Sequence, residues 1–185
     1  MEFNKVTLEV ENQVAILRFN HPEALNAIGV DMLEGLAEAV GEVQRLKNKV
    51  RCLVITGSGR GFCSGANLSD RGGRRRSSKS GGSGGGLRSS YHPLFFTLRD
   101  LEMPIVTAVN GAAAGVGMSF ALLGDIVCAS KDAFFLQAFA RIGLVPDGGA
   151  TFMLPRMIGW GRAMELSLLA ERLYAEKASD WGLVN

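Results

Sequence analysis

The sequence has little cysteine, few histidines and no long uninterrupted apolar run, and each shortage excludes a class of protein. Three cysteines without CxxC spacing in 185 residues exclude a disulfide-built secreted domain and predict reduced, buried thiols in a cytoplasmic protein. The two histidines, His21 and His92, both precede Ser119, the serine of a near match to the GxSxG elbow, so the chain order of an α/β-hydrolase triad fails. The longest apolar stretches, such as 112–123, are too short or too rich in glycine to cross a bilayer. The N-terminus lacks a signal-peptide pattern, so we expect neither a membrane anchor nor secretion.

The chain also lacks a large excess of either charge, except in a single basic segment. The chain has 20 basic and 18 acidic residues, a formal net charge of +2. Residues 71–86 contain five of the basic residues and no acidic one, which leaves 15 basic against 18 acidic residues in the remainder. Nucleic-acid surfaces spread Lys and Arg over a folded face, so we expect no nucleic-acid partner. Seven glycines and four serines in the same segment predict a flexible basic surface loop.

Length and patterning predict a single α/β domain over residues 1–185. With 47% hydrophobic residues, the chain can bury one substantial core. Strand-length apolar runs lie at 52–56, 105–109 and 125–129. They alternate with helical spacing of apolar residues, as between Leu33 and Val43, which indicates parallel strands joined by right-handed crossovers. Residues 181–185 resemble a helix end that leads into another strand, so we expect the chain to be truncated after residue 185.

Glycine-rich turns follow several of these runs, but they do not match nucleotide-binding loops. None continues into the Gly-Lys-Ser/Thr of a P-loop, and Phe62 stands where GxGxxG requires its last glycine. Four motifs are more specific: 22–27 (PEALNA), 62–68 (FCSGANL), 109–117 (VNGAAAGVG) and 138–149 (AFARIGLVPDGG). In this order they closely resemble the crotonase (enoyl-CoA hydratase/isomerase) superfamily, over about residues 6–185.

The resemblance implies a crotonase-like spiral of ββα units that acts on a small-molecule acyl-CoA. The family's C-terminal helices, which help to form trimers and close the acyl pocket, would lie beyond residue 185. A homotrimer or hexamer is therefore implied only for a longer chain. Coenzyme A is part of the substrate, so neither a metal nor a redox cofactor is implied. The loop at 71–86 could attract the CoA phosphates, although a solvated insertion is the simpler interpretation.

The chemistry explains why two glycine-rich turns are needed. A thioester polarised toward its enolate carries negative charge on the carbonyl oxygen, and two backbone N–H groups aimed there stabilise mainly the transition state. By resemblance, these donors are the amides of Ala66 and Val116. The CoA channel would be lined by Ala24, Leu25, Ser64, Asn67, Leu68 and Gly115. Tight packing of strands against helices would require the same glycines and is the alternative explanation for either turn alone.

Departures from the family pattern bear on the reaction. Hydratases of the family activate water with two glutamates, whose positions here are occupied by Ser119 and Phe139. Asp147 matches a position where isomerase branches carry Asp or Glu, and one carboxylate suffices to move a proton between two carbons. We hypothesise that Phe139, Val145 and Phe152 exclude water from Asp147 and raise its pKa.

The predicted activity is therefore isomerisation of an acyl-CoA through an enolate, with Asp147 as acid/base. Segments 62–65, 143–147 and 154–156 resemble most the phenylacetate-pathway isomerase branch, whose members open 1,2-epoxyphenylacetyl-CoA or move an enoyl double bond. Three alternatives stay open. Asp147 could instead be the N-cap of the helix after Gly148 and Gly149. The enzyme could be a hydratase or lyase with displaced acid/base residues. The chain could also be a non-catalytic acyl-CoA binding or assembly module.

Overall fold

The structure is a computed structural model that describes residues 1–67 and 91–185. Leu68 and the basic segment 71–86 lie outside the described residues. The strands are β1 (Glu2–Phe3), β2 (Val6–Glu11), β3 (Val14–Phe19), β4 (Cys52–Gly57), β5 (Gly61–Cys63), β6 (Ile105–Val109), β7 (Ala112–Ala114), β8 (Ile126–Ala129), β9 (Phe134–Leu136) and β10 (Leu173–Tyr174). The helices are α1 (Val30–Arg45), α2 (His92–Arg99), α3 (Val116–Ala121), α4 (Ala150–Ile158), α5 (Trp160–Leu169) and α6 (Ala175–Asp180), with short 3-10 turns at Pro22–Ala24 and Ala138–Ile142.

The chain delivers successive strands alternately to two sheets. Among the described residues, the larger sheet has the order β1-β2-β3-β4-β6-β8 and the smaller one the order β10-β9-β7-β5. The pairs β4/β5, β6/β7 and β8/β9 each place one strand in either sheet, and helices α3 and α4 follow the second and third pairs. The expected α/β spiral of ββα units is therefore confirmed.

Apolar alternation explains how the larger sheet is assembled. Strands β2 and β3 form an antiparallel hairpin, whereas β3, β4, β6 and β8 pair in parallel. Alternate residues of β3 point into the core, and Phe19 at its end is fully buried. The Phe19 ring meets Phe62 of β5 and Phe120 of α3 edge to face, with centroids 5.3 and 5.4 Å apart. Such pairs prefer this geometry, and here they join both sheets to helix α3.

The end of the chain does not form the expected further strand. Residues 181–183 form turns and a bend, and residues 184–185 have no regular secondary structure. The Asn185 N–H donates to the Val127 carbonyl oxygen at 2.9 Å, and the Val127 N–H donates to Asn185 Oδ1 at 2.8 Å. Asn185 thus pairs with the backbone N–H and carbonyl groups of Val127 in β8. In the part of the chain that the structure describes, no helix is long and apolar enough to span a bilayer.

Two glycines of α1 provide a test of how closely this helix packs. A Cβ atom at Gly35 would overlap the backbone carbonyl oxygen of Asn4, whereas one at Gly41 would meet no atom within 4 Å. We expect Gly41→Ala to stabilise the fold by about 0.5–1 kcal/mol, because alanine restricts the unfolded chain and favours helix. Gly35→Ala should destabilise it by about 1–3 kcal/mol through overpacking against backbone. Urea unfolding measures both changes, and shifts in the same direction would contradict the packing described.

Candidate active site

The two turns proposed as oxyanion donors leave the same edge of the smaller sheet. Strands β5 and β7 pair in parallel, with Gly61 opposite Ala112 and Cys63 opposite Ala113. The carboxyl ends of parallel neighbours lie side by side, so the turn after β5 and the turn after β7 begin next to each other. The first turn carries Ala66, and the second leads directly into helix α3.

Glycine allows these turns to touch. Gly65 has φ +104°, and a Cβ atom there would lie 2.9 Å from the carbonyl oxygen of Ala114. A Cβ atom at Gly117 would overlap the carbonyl oxygen of Cys63. Side chains at either position would force the turns apart. The structure therefore brings the two predicted segments into direct contact, which is also what the packing alternative requires.

Neither proposed donor N–H has a backbone acceptor in the part of the chain that the structure describes. Val116 is the first residue of α3, and the N–H groups of a first helical turn have no acceptor within the helix. Ala66 forms a parallel bridge with Ile28, in which Gly65 accepts and Asn67 donates the backbone hydrogen bonds, both at 2.8 Å. Among residues 1–67 and 91–185, no backbone carbonyl accepts the N–H of Ala66.

Several of the residues predicted to line the CoA channel lie together beside the Ala66 turn. The Ser64 N–H donates to the Leu25 carbonyl oxygen at 2.9 Å, and Ser64 Oγ donates to the Ala24 carbonyl oxygen at 3.3 Å. Ala24, Leu25, Ser64 and Asn67 are each half-buried, as the wall of an open channel would be. Gly115 lies on the opposite turn and is also half-buried. Leu68 falls outside the described residues.

Sequence reasoning missed the role of Asn26 in holding this turn. Asn26 is fully buried in left-handed conformation, with φ +57°. Its Nδ2 atom lies 3.0, 2.8 and 3.2 Å from the carbonyl oxygens of Ser58, Gly61 and Phe62, and its Oδ1 accepts the His21 N–H at 2.8 Å. Asparagine tolerates this conformation and offers both donors and an acceptor. Its place within PEALNA was the available signal.

Asp147 lies in the turn that precedes α4 and is attached to α3 through its backbone. Ser119 Oγ donates to the Asp147 carbonyl oxygen at 2.9 Å. The Asp147 side chain is half-buried, and its Oδ1 atom is shielded from solvent. Gly149 occupies the N-cap position of α4, and the backbone carbonyl of Asp147 accepts the Ala150 N–H at 3.1 Å. Asp147 is therefore not the N-cap residue, which removes that alternative in its simple form.

The positions of the hydratase glutamates flank the donor turn. Ser119 is fully buried in α3, one helical turn after Val116. The Phe139 ring is buried, and its Cζ atom would lie 3.9 Å from a Cβ atom at Gly115. The hypothesis of an apolar shield around Asp147 is wrong for two of its three members. Val145 is 77% exposed and Phe152 is 54% exposed, so neither is enclosed in an apolar shield.

An apolar groove of about 360 Å³ opens beside this turn. It is lined by His92, Phe95, Phe96, Arg99, Leu123, Gly148, Gly149, Phe152 and Met153. Its size and lining are typical of a site for a small apolar group. In the described ranges no cluster of three or more His, Cys, Asp or Glu side chains is arranged to hold a metal ion.

Comparison with known proteins agrees with this geometry. The model of the enoyl-CoA hydratase/isomerase family matches residues 9–185. The chain belongs to the enoyl-CoA hydratase/isomerase family. It is 44% identical over 184 residues to 1,2-epoxyphenylacetyl-CoA isomerase of Escherichia coli (strain K12), covering 100% of this chain and 69% of that protein. It is 36% identical over 186 residues to short-chain-enoyl-CoA hydratase of Clostridium acetobutylicum, again covering 100% and 69%.

Solved structures of the family agree equally well. An enoyl-CoA hydratase from Mycobacterium avium subsp. paratuberculosis superposes with a TM-score of 0.84 at 36% identity, covering 100% of this chain and 68% of that one. An enoyl-CoA hydratase from Bacillus anthracis gives a TM-score of 0.87 at 27% identity, covering 97% and 68%. Both isomerases and hydratases are thus among the relatives, and the family alone does not decide between them.

The cysteines differ in environment more than their apolar surroundings predict. Cys63 is fully buried and Cys52 half-buried, but Cys128 is exposed because it lies with Ile126 on the face of β8 opposite to the buried Val127. Burial raises the pKa of the Cys63 thiol to about 12, against the opposing effect of a hydrogen bond from the Gly65 backbone. Burial, and then the negative charge of Asp125, raise the pKa of Cys52.

These environments predict selective alkylation. The thiolate is the reactive form, so at pH 8 native protein should react with iodoacetamide at Cys128 first. Cys63, whose thiol stays protonated well above this pH, should react only after unfolding in urea. Peptide mass spectrometry of timed samples locates each label. Early modification of Cys63 in folded protein would contradict its burial beneath the donor turns.

Proposed function

We propose that this chain is an acyl-CoA isomerase that works through a thioester enolate. The observation that carries the proposal is the contact between the two turns that bear Ala66 and Val116, at one edge of the smaller sheet. The Asp147 turn is attached to the same helix that begins at Val116. Three residues of helix rise separate Val116 from Ser119, about 4.5 Å along the axis, so the carboxylate-bearing turn lies close to the donor pair.

The proposed reaction moves one proton within the substrate, so substrate and product have the same atomic composition. The Asp147 carboxylate removes a proton from one carbon of the acyl group, and the electrons of that C–H bond shift into the thioester enolate. The Ala66 and Val116 amides hold the oxygen while it is negative. As the carbonyl re-forms, protonated Asp147 returns the proton to a different carbon.

Isomerisation is favoured over hydration by what stands at the two glutamate positions. Ser119 has no carboxylate, and its hydroxyl donates to a backbone carbonyl. Phe139 presents an aromatic ring beside Gly115. Neither side chain can deprotonate water, whereas Asp147 can act alone. The 44% identity to 1,2-epoxyphenylacetyl-CoA isomerase supports the same choice and suggests an enoyl thioester or 1,2-epoxyphenylacetyl-CoA as substrate.

Proline at position 116 tests the donor amide directly. Proline is tolerated at the first position of a helix, where its fixed φ suits the helix and its nitrogen carries no hydrogen, so Val116→Pro should retain the fold. We expect kcat to fall by about 100- to 1000-fold, the usual cost of one oxyanion donor. Val116→Ala keeps the N–H and removes side-chain packing, so its kcat should fall far less. Equal losses in the two variants would show that packing, and not the amide, matters.

Substitution of Asp147 by asparagine tests the acid/base. Asparagine preserves shape and hydrogen bonding but cannot accept the proton, so the rate should fall by about 100- to 10,000-fold. The measurement is deuterium incorporation from heavy water into phenylacetyl-CoA and enoyl-CoA, followed by mass spectrometry. Asp132→Asn, on an exposed turn before β9, is the matched control and should exchange at the wild-type rate.

Each possible result of this exchange experiment selects one interpretation. Exchange that depends on Asp147 supports the isomerase. Full exchange in Asp147→Asn would reduce Asp147 to a structural residue. Binding of acyl-CoA without any exchange in the wild type would identify a non-catalytic acyl-CoA binding module.

A further inference from the structure

We infer that Ser119 is a positioning residue, which fixes the Asp147 turn relative to the donor amide of Val116. This inference rests on the proposed function and goes beyond it, because it assigns a role to the residue that replaces a hydratase glutamate. Ser119 has no ionisable group, and it acts through the backbone of another residue.

The first observation is a single buried hydrogen bond between two distant segments. Ser119 is 0% exposed, and its Oγ donates to the Asp147 carbonyl oxygen at 2.9 Å across 28 residues of sequence. A serine inside a helix commonly bonds back to a carbonyl of its own helix, as Ser167 does to Ala163 at 2.7 Å. Ser119 instead bonds outside its helix, to the residue that carries the proposed acid/base.

The second observation is the close approach of the next residue. Gly148 has φ +58°, and a Cβ atom there would lie 2.6 Å from Cβ of Ser119 and 3.0 Å from Cζ of Phe95. The turn is thus pressed against Ser119 on one side and against α2 on the other. Only a residue without a side chain fits this conformation and this space.

Together these contacts set the distance between acid/base and oxyanion hole. Val116 and Ser119 lie on one turn of α3, so the helix is a rigid spacer between the donor amide and the Asp147 backbone. Small displacements of a catalytic group are costly, since a shift of about 1 Å can lower a rate by about 100-fold. Loss of the Ser119 hydroxyl leaves the Asp147 carbonyl held by the Ala150 N–H but removes its bond to α3, and it changes neither amide donor.

The test compares Ser119→Ala with the loss of another buried hydroxyl group that forms a hydrogen bond with α3. Thr107 is also 0% exposed, and its Oγ1 donates to the carbonyl oxygen of Ala121 in α3 at 2.8 Å. Thr107→Val therefore removes a buried hydroxyl bond to α3 without touching the Asp147 turn. Thermal unfolding should show that both variants fold, with similar losses of stability.

The kinetic constants of the two variants should differ. We expect Ser119→Ala to lower kcat by about 10- to 100-fold with little change in KM, while Thr107→Val keeps the wild-type kcat. In the Asp147→Asn background, Ser119→Ala should have no further effect on residual exchange, because both substitutions act through the same group. An equal loss with and without Asp147 would overturn the inference, as would equal kcat values for Ser119→Ala and Thr107→Val.

Failure of the proposed function has a different signature. It fails if the wild type does not exchange, or if Asp147→Asn retains full exchange, and neither result depends on the Ser119 variant.

Discussion

Parallel pairing of β5 with β7 is the constraint on which the candidate site depends. The pairing places two consecutive turns at one edge of the smaller sheet, and glycine at positions 65 and 117 lets their backbones meet. Backbone N–H groups have no side chain to adjust their aim, so their direction is set by strand register and turn conformation alone. A shift of register by one residue would change where both turns begin and would thus move the Ala66 and Val116 backbone relative to each other.

Two asparagines, the buried Asn26 and the half-buried Asn110, bind the backbone around β5 from other segments. Asn26 binds three carbonyl oxygens around β5. Asn110, at the end of β6, donates to the carbonyl oxygens of Gly59 and Gly61 and accepts the Gly57 N–H. The short connection between β4 and β5 is therefore satisfied by amide side chains from two other segments. Buried networks of this kind specify one arrangement because each unpaired group would cost about 1–3 kcal/mol.

The fold could be predicted from local patterns, whereas the site could be predicted only in part. Strand-length apolar runs and helical spacing depend on neighbouring residues, so β4, β6, β8 and α1 were predicted close to their observed bounds. Contacts between distant residues leave no such pattern. The bond from Ser119 to Asp147 is one example, and the exposure of Val145 and Phe152 is another, because both depend on how the turn before α4 packs. Cys128 was predicted to be buried, which was wrong because the apolar run of β8 does not indicate that one of its two faces is exposed.

The size of residue 119 connects the packing of α3 to the placement of the carboxylate. Gly148 approaches Cβ of Ser119 so closely that even a methyl group on Gly148 would overlap it. A longer side chain at position 119, pointing the same way, would occupy the space of the turn and push Asp147 outward. Residue 119 and the backbone of the turn at Asp147 and Gly148 therefore share one tightly packed volume. Serine at 119 leaves that volume to the turn, and its hydroxyl satisfies the carbonyl oxygen that the turn brings into the core.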